Sequence, residues 1–417
     1  MIENYINDLN LRKEVFPIFN YCINDLSKQK LNNLLENPLK NTEDIYNRQN
    51  IIKGFILNKE KLEDYKYSKI YFHEVYEFLL NFSDDDLMFT KLNLILFRKQ
   101  KTEIESRLIQ IINIFSKIEL NLKKLNLADF PPNYSKEIKF IVNFIKYFNI
   151  SEYNRINLNT NHILDLCKKI CEKKTEFNVF FESILLFEVY LSFSKSTIKN
   201  NFVFPTISEN LIVFKNLYHP LLNNAVSNDL NFNKNVIVLT GPNMSGKSTF
   251  LKSIFISVYL GHLGLAVPAT EACFPFFNYF SISINHNDNL KKGYSHFMNE
   301  IHLLKNALIQ AKQGKKCFVV FDELFKGTNI DDAFNISSQT IKGLLNFKNS
   351  FFIISTHLQL LNEIDEIKTK QTANYYIDAS LVDKHPIFTY KLKEGWSNLK
   401  IGEILFENEG IKSLLNN

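Results

Sequence analysis

The chain has 417 residues, enough for two or three domains of ordinary size, each with its own buried core. Apolar residues make up 45% and charged residues 22%, which excludes an intrinsically disordered chain and a membrane-embedded one as classes. Lys and Arg number 49 against 44 Asp and Glu, a formal net charge of +5, too small over this length to assign a nucleic-acid partner by charge alone.

The amino terminus, MIENYINDLN, carries no basic segment followed by an apolar run, so no secretory leader is expected. The five cysteines (Cys22, Cys167, Cys171, Cys273, Cys317) show no zinc-ligand spacing and are predicted to be reduced and mostly buried, in a cytoplasmic protein. The longest apolar stretch, 254–269, is broken by Ser257, His262 and two glycines. It is too short to span a bilayer, and no membrane partner is expected.

Of the 12 glycines only Gly54 lies in the first 200 residues, so this half is predicted to be almost all helix. From Met88 to Asp129 there is neither Gly nor Pro, and Ile104, Leu108, Ile111, Phe115 and Ile118 recur at four-three spacing. The pattern predicts a long amphipathic helix ending near Pro131 and Pro132, packed in a helical bundle rather than in a free coiled coil. The run KLEDYKYSKIYFHEVYEF at 61–78 reads as a solvated helical face with one buried side, in preference to a basic and aromatic nucleic-acid surface.

Beyond a boundary near Pro205 the texture changes. Short β-branched and aromatic runs, VIVLT at 236–240, CFVVFDE at 317–323 and FFIIST at 351–356, alternate with helical segments. Such alternation predicts a parallel sheet covered by helices. The expected domains are thus 1–200, helical, and 201–417, α/β.

GPNMSGKS at 241–248 fits the phosphate-loop pattern GxxxxGK[ST], follows the strand VIVLT and opens a helix. Glycines let backbone N–H groups wrap phosphates, and the helix amino terminus adds its partial positive charge. Gly241, Pro242, Asn243, Met244, Ser245, Gly246, Lys247, Ser248 and Thr249 are the candidate ATP cradle. Lys247 is expected to reach the β- and γ-phosphates and Ser248 to ligate Mg2+. FVVFDE ends a buried strand in two carboxylates, where open α/β sheets bind ligands. Asp322 is the second candidate Mg2+ ligand, and Glu323 the general base for the attacking water. FFIIST leads into His357, a candidate contact to the γ-phosphate or the water. The other histidines, His286, His296 and His302 among them, show no metal-ligand spacing.

Taken together these segments resemble the MutS family of DNA mismatch repair ATPases, of the ABC ATPase class. TGPNMSGKST matches that family's TGPNMGGKST with Ser245 for glycine, and DELFKGTN at 322–329 resembles DEIGRGTS, with Lys326 for arginine and Asn329 for serine. STH at 355–357 is similar to ATH, and AVPA at 266–269 to FVPA. LYHPLL at 217–222 and SNDL at 227–230 resemble the RHP and PND segments near the nucleotide base, which implies a base-side role for His219. GYSHFMNEI at 293–301 is similar to GxSTFMxEM, which implies that Ser295 completes the nucleotide site of a second subunit. YKLKEGWSNLKIGE at 390–403 resembles YKLxxGxSxxSxGI, which makes Tyr390 a candidate to stack on adenine. More faintly, DLNL at 8–11, LENPL at 35–39, IYNRQNII at 45–52 and FEVYLSFS at 187–194 resemble the family's helical core, or lever, domain.

The resemblance implies an ABC-type P-loop ATPase domain at 201–417 preceded by a helical core/lever domain at 1–200. It further implies ATP and Mg2+ as cofactors, a homodimer closed around ATP, and DNA as a partner. The core pattern begins at residue 8, so the family's mismatch-reading domains are expected to be absent, and the helical half looks too short for the DNA-gripping clamp. Mismatch reading by this chain alone is therefore not expected, and the alternative function is an ATP-switched protein-interaction module that binds no DNA. A transporter ATPase is disfavoured by the lack of an LSGGQ-like signature, and a chain-condensing ATPase by the short distance between the phosphate loop and Asp322.

Overall fold

A computed structural model describes residues 12–83, 85–88, 90, 98–153, 157–284, 296–325, 327–382, 385–397, 399 and 401–415. Ser295, Lys326, His286 and the segment 8–11 lie outside the described residues. The chain divides into two compact units, one of residues 19–35 and 46–199, the other of residues 1–18, 36–45 and 200–417.

The first unit is helical. It is built from α1 (Asp25–Glu36), α2 (Thr42–Leu57), α3 (Lys69–Asn81), α4 (Arg98–Lys123), α5 (Pro132–Tyr147), α6 (Thr160–Glu172) and α7 (Phe177–Lys199), with the first residues of α2 and the last of α1 belonging to the other unit. In α4 the predicted stripe is the buried side: Leu108, Ile111, Phe115 and Ile118 are all less than 3% exposed, and Ile104 is half-buried. The helix stops at Lys123, and Pro132 opens α5, where its missing N–H costs nothing. In α3 only Phe72, Val75 and Leu79 are buried, the one-sided pattern expected of the 61–78 run.

Helix α7 is the axis of this core. The stretch Lys174–Lys199 is long and apolar enough to cross a membrane by composition, but 72% of its most apolar window is buried inside the unit. Phe180 stacks on Phe144 with ring centroids 4.3 Å apart, and Phe187 meets Phe55 edge-on at 4.9 Å. Each buried phenylalanine contributes about 2 to 3 kcal/mol of transfer free energy. Gly54, the lone glycine of this half, sits where α2 approaches its neighbours: a Cβ there would lie 2.5 Å from the Phe130 ring and 2.8 Å from the Asp129 carbonyl oxygen.

The second unit carries two sheets and has a mixed α/β fold. Strands β1 (Thr206–Ser208), β2 (Ile212–Leu217), β3 (Asn228–Phe232) and β5 (Glu271–Pro275) form a sheet of order β1-β5-β2-β3. The larger sheet runs β10 (His385–Glu394), β9 (Ala373–Val382), β4 (Val236–Thr240), β8 (Phe351–Ser355), β7 (Cys317–Phe321), β6 (Tyr279–Ser283). All of its pairings are parallel except the β9–β10 hairpin.

Every residue of β4, β7 and β8 is buried, which is why these strands read as continuous apolar runs. One face, including Val236, Val319 and Ile354, packs with Leu303 and Ala307 of α9 (His296–Lys312) and with Ala333, Ile341 and Leu344 of α10 (Ile330–Leu344). The other face meets α8 (Lys247–His262) through Phe255, whose ring lies 5.6 Å from Phe318 and 6.2 Å from Phe280. Parallel strands share one carboxyl end, so the residues that follow β4, β7 and β8 emerge along one edge.

Candidate functional site

The chain leaves β4 through Gly241 at φ 143° and passes Met244 at φ 68° and Gly246 at φ 97° before α8 begins at Lys247. Glycine is needed at Gly241 and Gly246 because a side chain is strained in both conformations. A Cβ on Gly246 would in addition stand 3.1 Å from the Tyr390 ring. Lys247 is 5% exposed, and its Nζ donates to the carbonyl oxygens of Gly241 and Pro242 at 3.0 and 3.1 Å. Two of its three donors thus hold the ammonium inside the loop. Ser245, the departure from the family pattern, is fully buried, its Oγ has no hydrogen-bond partner among the described residues, and a Cβ on Gly241 would sit 3.0 Å from that oxygen. Asn243, Met244 and Ser248 are exposed, and Thr249 is half-buried.

β7 is followed by Asp322, 3% exposed, and Glu323, which takes the left-handed φ of 56°. The Asp322 N–H donates to the Ser283 carbonyl at 2.9 Å, extending the β6–β7 ladder by one step. His357, just beyond β8, stands with Nε2 at 2.7 Å from Glu323 Oε1. Ser355 hydrogen-bonds to both carboxylate-bearing residues: its Oγ donates to Asp322 Oδ1 and accepts the Glu323 N–H at 2.8 Å. Ser355 stands within the segments FFIIST and STH, neither of which implies a role for it.

Glu300 of α9 also went unassigned. It is 1% exposed and accepts the Phe325 N–H at 3.0 Å. Burial pushes its carboxyl up to about 7, and the neighbouring Glu323 charge adds to the rise. Phe297 packs edge-on to Phe325 at 6.0 Å, and a Cβ on Gly327 would fall 3.0 Å from the Phe297 Cβ, so the loop after Asp322 is fastened to α9 at three points. Asn329 caps α10, accepting the Asp332 N–H at 2.8 Å, a task that the serine of the family pattern can also perform.

Beside the loop between β4 and α8 lies a cavity of about 330 Å³ lined by His219, Asn228, Gly246, Thr249, Phe250 and Tyr390 among others. Burial lowers the His219 pKa. Tyr390 occupies a bulge of β10 between Phe388 and Leu392, at φ 57°. Asn228 fills the gap the bulge leaves: its Nδ2 donates to the Tyr390 carbonyl at 3.0 Å and its Oδ1 accepts the Leu392 N–H at 2.8 Å. SNDL thereby gains a specific part, presentation of the Tyr390 ring.

Among the described residues no group of three or more His, Cys, Asp or Glu side chains forms a metal cluster. None of the five cysteines is in a disulfide, and Cys22, Cys167 and Cys317 are buried.

A family model, MutS domain V, matches residues 237–406, from β4 to α11 (Ile401–Asn408). Three proteins called DNA mismatch repair protein MutS illustrate the relatives. The one from Listeria welshimeri is 30% identical over 220 residues, covering 51% of this chain and 25% of that protein. The one from a Geobacillus species is 26% identical over 261 residues, covering 60% and 30%. The one from a Thermotoga species is 26% identical over 320 residues, covering 73% and 40%. The chain matches between a quarter and two fifths of the length of these relatives. Residues 237–406 therefore form a MutS domain V, and similarity to MutS proteins reaches beyond the sheet-bearing unit.

Proposed function

We propose that this chain is a Mg2+-dependent ATPase of the MutS type, its 201–417 region an ABC-type P-loop ATPase domain and its 1–200 region a helical core/lever domain that couples to DNA. The observation that carries this reading is the convergence, at the carboxyl ends of adjacent parallel strands, of a glycine-shaped loop closed by Lys247 and of the Glu323–His357 pair. That combination suits an oxyanion-rich substrate and a water to be deprotonated.

The loop N–H groups and Lys247 hold the phosphates. Glu323, oriented by an Nε2–H donated from His357, accepts the proton of the attacking water. The Ser248 hydroxyl and the Asp322 carboxylate are hard oxygen donors that fit Mg2+, an ion that keeps waters and phosphate oxygens for its remaining positions and needs no larger protein cluster. Bound Mg2+ supplies charge neutralisation on the phosphates. Tyr390 and His219 flank the adenine in the cavity beside Gly246.

Ser295 completes the site of a second copy, making the working form a homodimer closed by ATP. Such an interfacial site makes nucleotide affinity differ between closed and open states, which is what an ATP-driven movement requires. The levers then act on DNA through phosphate contacts rather than base readout.

The test is ATP hydrolysis by the purified chain with and without duplex, branched and single-stranded DNA, at low and moderate salt. The reading expects stimulation by DNA that fades as salt rises. Hydrolysis indifferent to every DNA would favour the alternative, an ATP-switched module for a protein partner.

A further inference from the structure

Ser355 is the last residue of β8, the strand between the phosphate-loop strand β4 and the Asp322 strand β7, and it is fully buried. We propose that Ser355 is a positioning residue that locks the Asp322 carboxylate and the Glu323 backbone to one another, setting both for Mg2+ and for the attacking water. The inference rests on the ATPase reading above.

A hydroxyl has one proton and accepting lone pairs, so a single oxygen can donate to one group while accepting from another. Ser355 Oγ does both: it donates to Asp322 Oδ1 and receives the Glu323 N–H at 2.8 Å. The second bond matters because it holds the Glu323 N–H through a side chain at the point where the chain turns out of β7, with Glu323 itself at φ 56°. Without Ser355 that donor would have to find another acceptor, and Asp322 Oδ1 would lose the proton that fixes the plane of its carboxylate. Glu323 also meets His357 at 2.7 Å, so fixing the Glu323 backbone fixes the geometry of that pair as well.

Ser355→Ala and Ser355→Thr test the proposal by two readouts. One is steady-state ATP hydrolysis; the other is equilibrium binding of a fluorescent ATP analogue, first in EDTA and then as Mg2+ is added. Losing a hydrogen bond to a charged group predicts that Ser355→Ala lowers kcat about tenfold with little change in KM. In the binding titration the Mg2+ half-saturation rises several-fold by the same argument, Mg2+-free affinity is unchanged, and Ser355→Thr recovers both properties. Ser355→Ala indistinguishable from the parent in kcat and in the Mg2+ titration would overturn the proposal. So would an equal loss of Mg2+-free binding, which would mark Ser355 as a general structural support. Thermal melting identifies a Thr variant that fails to fold, and the Ala titration then decides alone. A parent that hydrolyses no ATP refutes the ATPase reading, while the Mg2+ titration still decides the role of Ser355.

Discussion

Asn228→Ala is the most informative perturbation of the cavity proposed for the base, because Asn228 both lines it and holds the backbone on either side of Tyr390. The substitution removes two hydrogen bonds to β10, Nδ2 to the Tyr390 carbonyl at 3.0 Å and the Leu392 N–H to Oδ1 at 2.8 Å, along with a longer one from Nδ2 to the Val226 carbonyl at 3.5 Å. Asn228 is 8% exposed, so water does not readily replace them. At about 1 kcal/mol for each bond to β10, the loss is about 2 kcal/mol. Tyr390 holds a left-handed φ of 57°, a conformation that costs a non-glycine residue about 1 to 2 kcal/mol and that these bonds offset. Without them the bulge relaxes and the ring leaves the cavity for part of the time. A bias of 2 kcal/mol corresponds to about thirtyfold in population, which sets the upper limit on the rise in ATP Kd. The assay is fluorescence titration of nucleotide binding for the parent, Asn228→Ala, Tyr390→Ala and the double variant. If Asn228 acts through Tyr390, the double variant binds like Tyr390→Ala alone. Additive losses, or normal binding by Asn228→Ala, would refute the reasoning.

Two further outcomes are expected. Lys247→Ala raises the nucleotide Kd at least tenfold by removing the charge held over Gly241 and Pro242, and it leaves the melting temperature within a few degrees of the parent; calorimetric titration and thermal melting check both halves. His262 is fully buried, hydrogen-bonded through Nδ1 to the Val258 carbonyl and through Nε2 to the Phe277 N–H at 2.8 Å each, and burial lowers its pKa to about 4. A depressed histidine pKa means that the unfolded chain binds the proton first. The stability it supports is therefore complete above about pH 6.5 and is lost as pH falls toward 4, about 3 kcal/mol in all. Glu300, with its raised pKa, works in the opposite direction over part of this range, so the readout is a difference. Denaturant unfolding should show a shallower loss between pH 6.5 and 4 in His262→Phe than in the parent, and parallel slopes would contradict the assignment.

The residues explain which parts of this architecture were legible in the sequence. β4, β7 and β8 could be read because they are buried on both faces, which leaves unbroken apolar runs with no polar register to interpret. The stripe of α4 could be read because one side is buried. The hairpin β9–β10 and the four-stranded sheet escaped notice, since their half-exposed residues alternate irregularly and both sheets contain bulges, between Phe388 and Leu392 and between Phe214 and Leu217. Sequence motifs brought attention to Glu323 and His357, yet gave no sign of Ser355, Glu300 or the specific task of Asn228. Those three act across strands or between a helix and a loop, through hydrogen bonds that join residues 25 to 164 positions apart. Local pattern cannot register such pairs. Segment 36–45 groups with the sheet-bearing unit for a similar reason, a Leu39 N–H bond to the His262 carbonyl at 2.9 Å.

The central claim is that Glu323 activates water beside a nucleotide held by Lys247. Its most direct test compares the parent with Glu323→Gln in two measurements on the same preparations, ATP binding at equilibrium and single-turnover hydrolysis with Mg2+. The glutamine keeps the shape and the contact to His357 but cannot take the proton. Equal binding and hydrolysis slowed about a hundredfold or more are expected. Equal hydrolysis rates in the two proteins would contradict it.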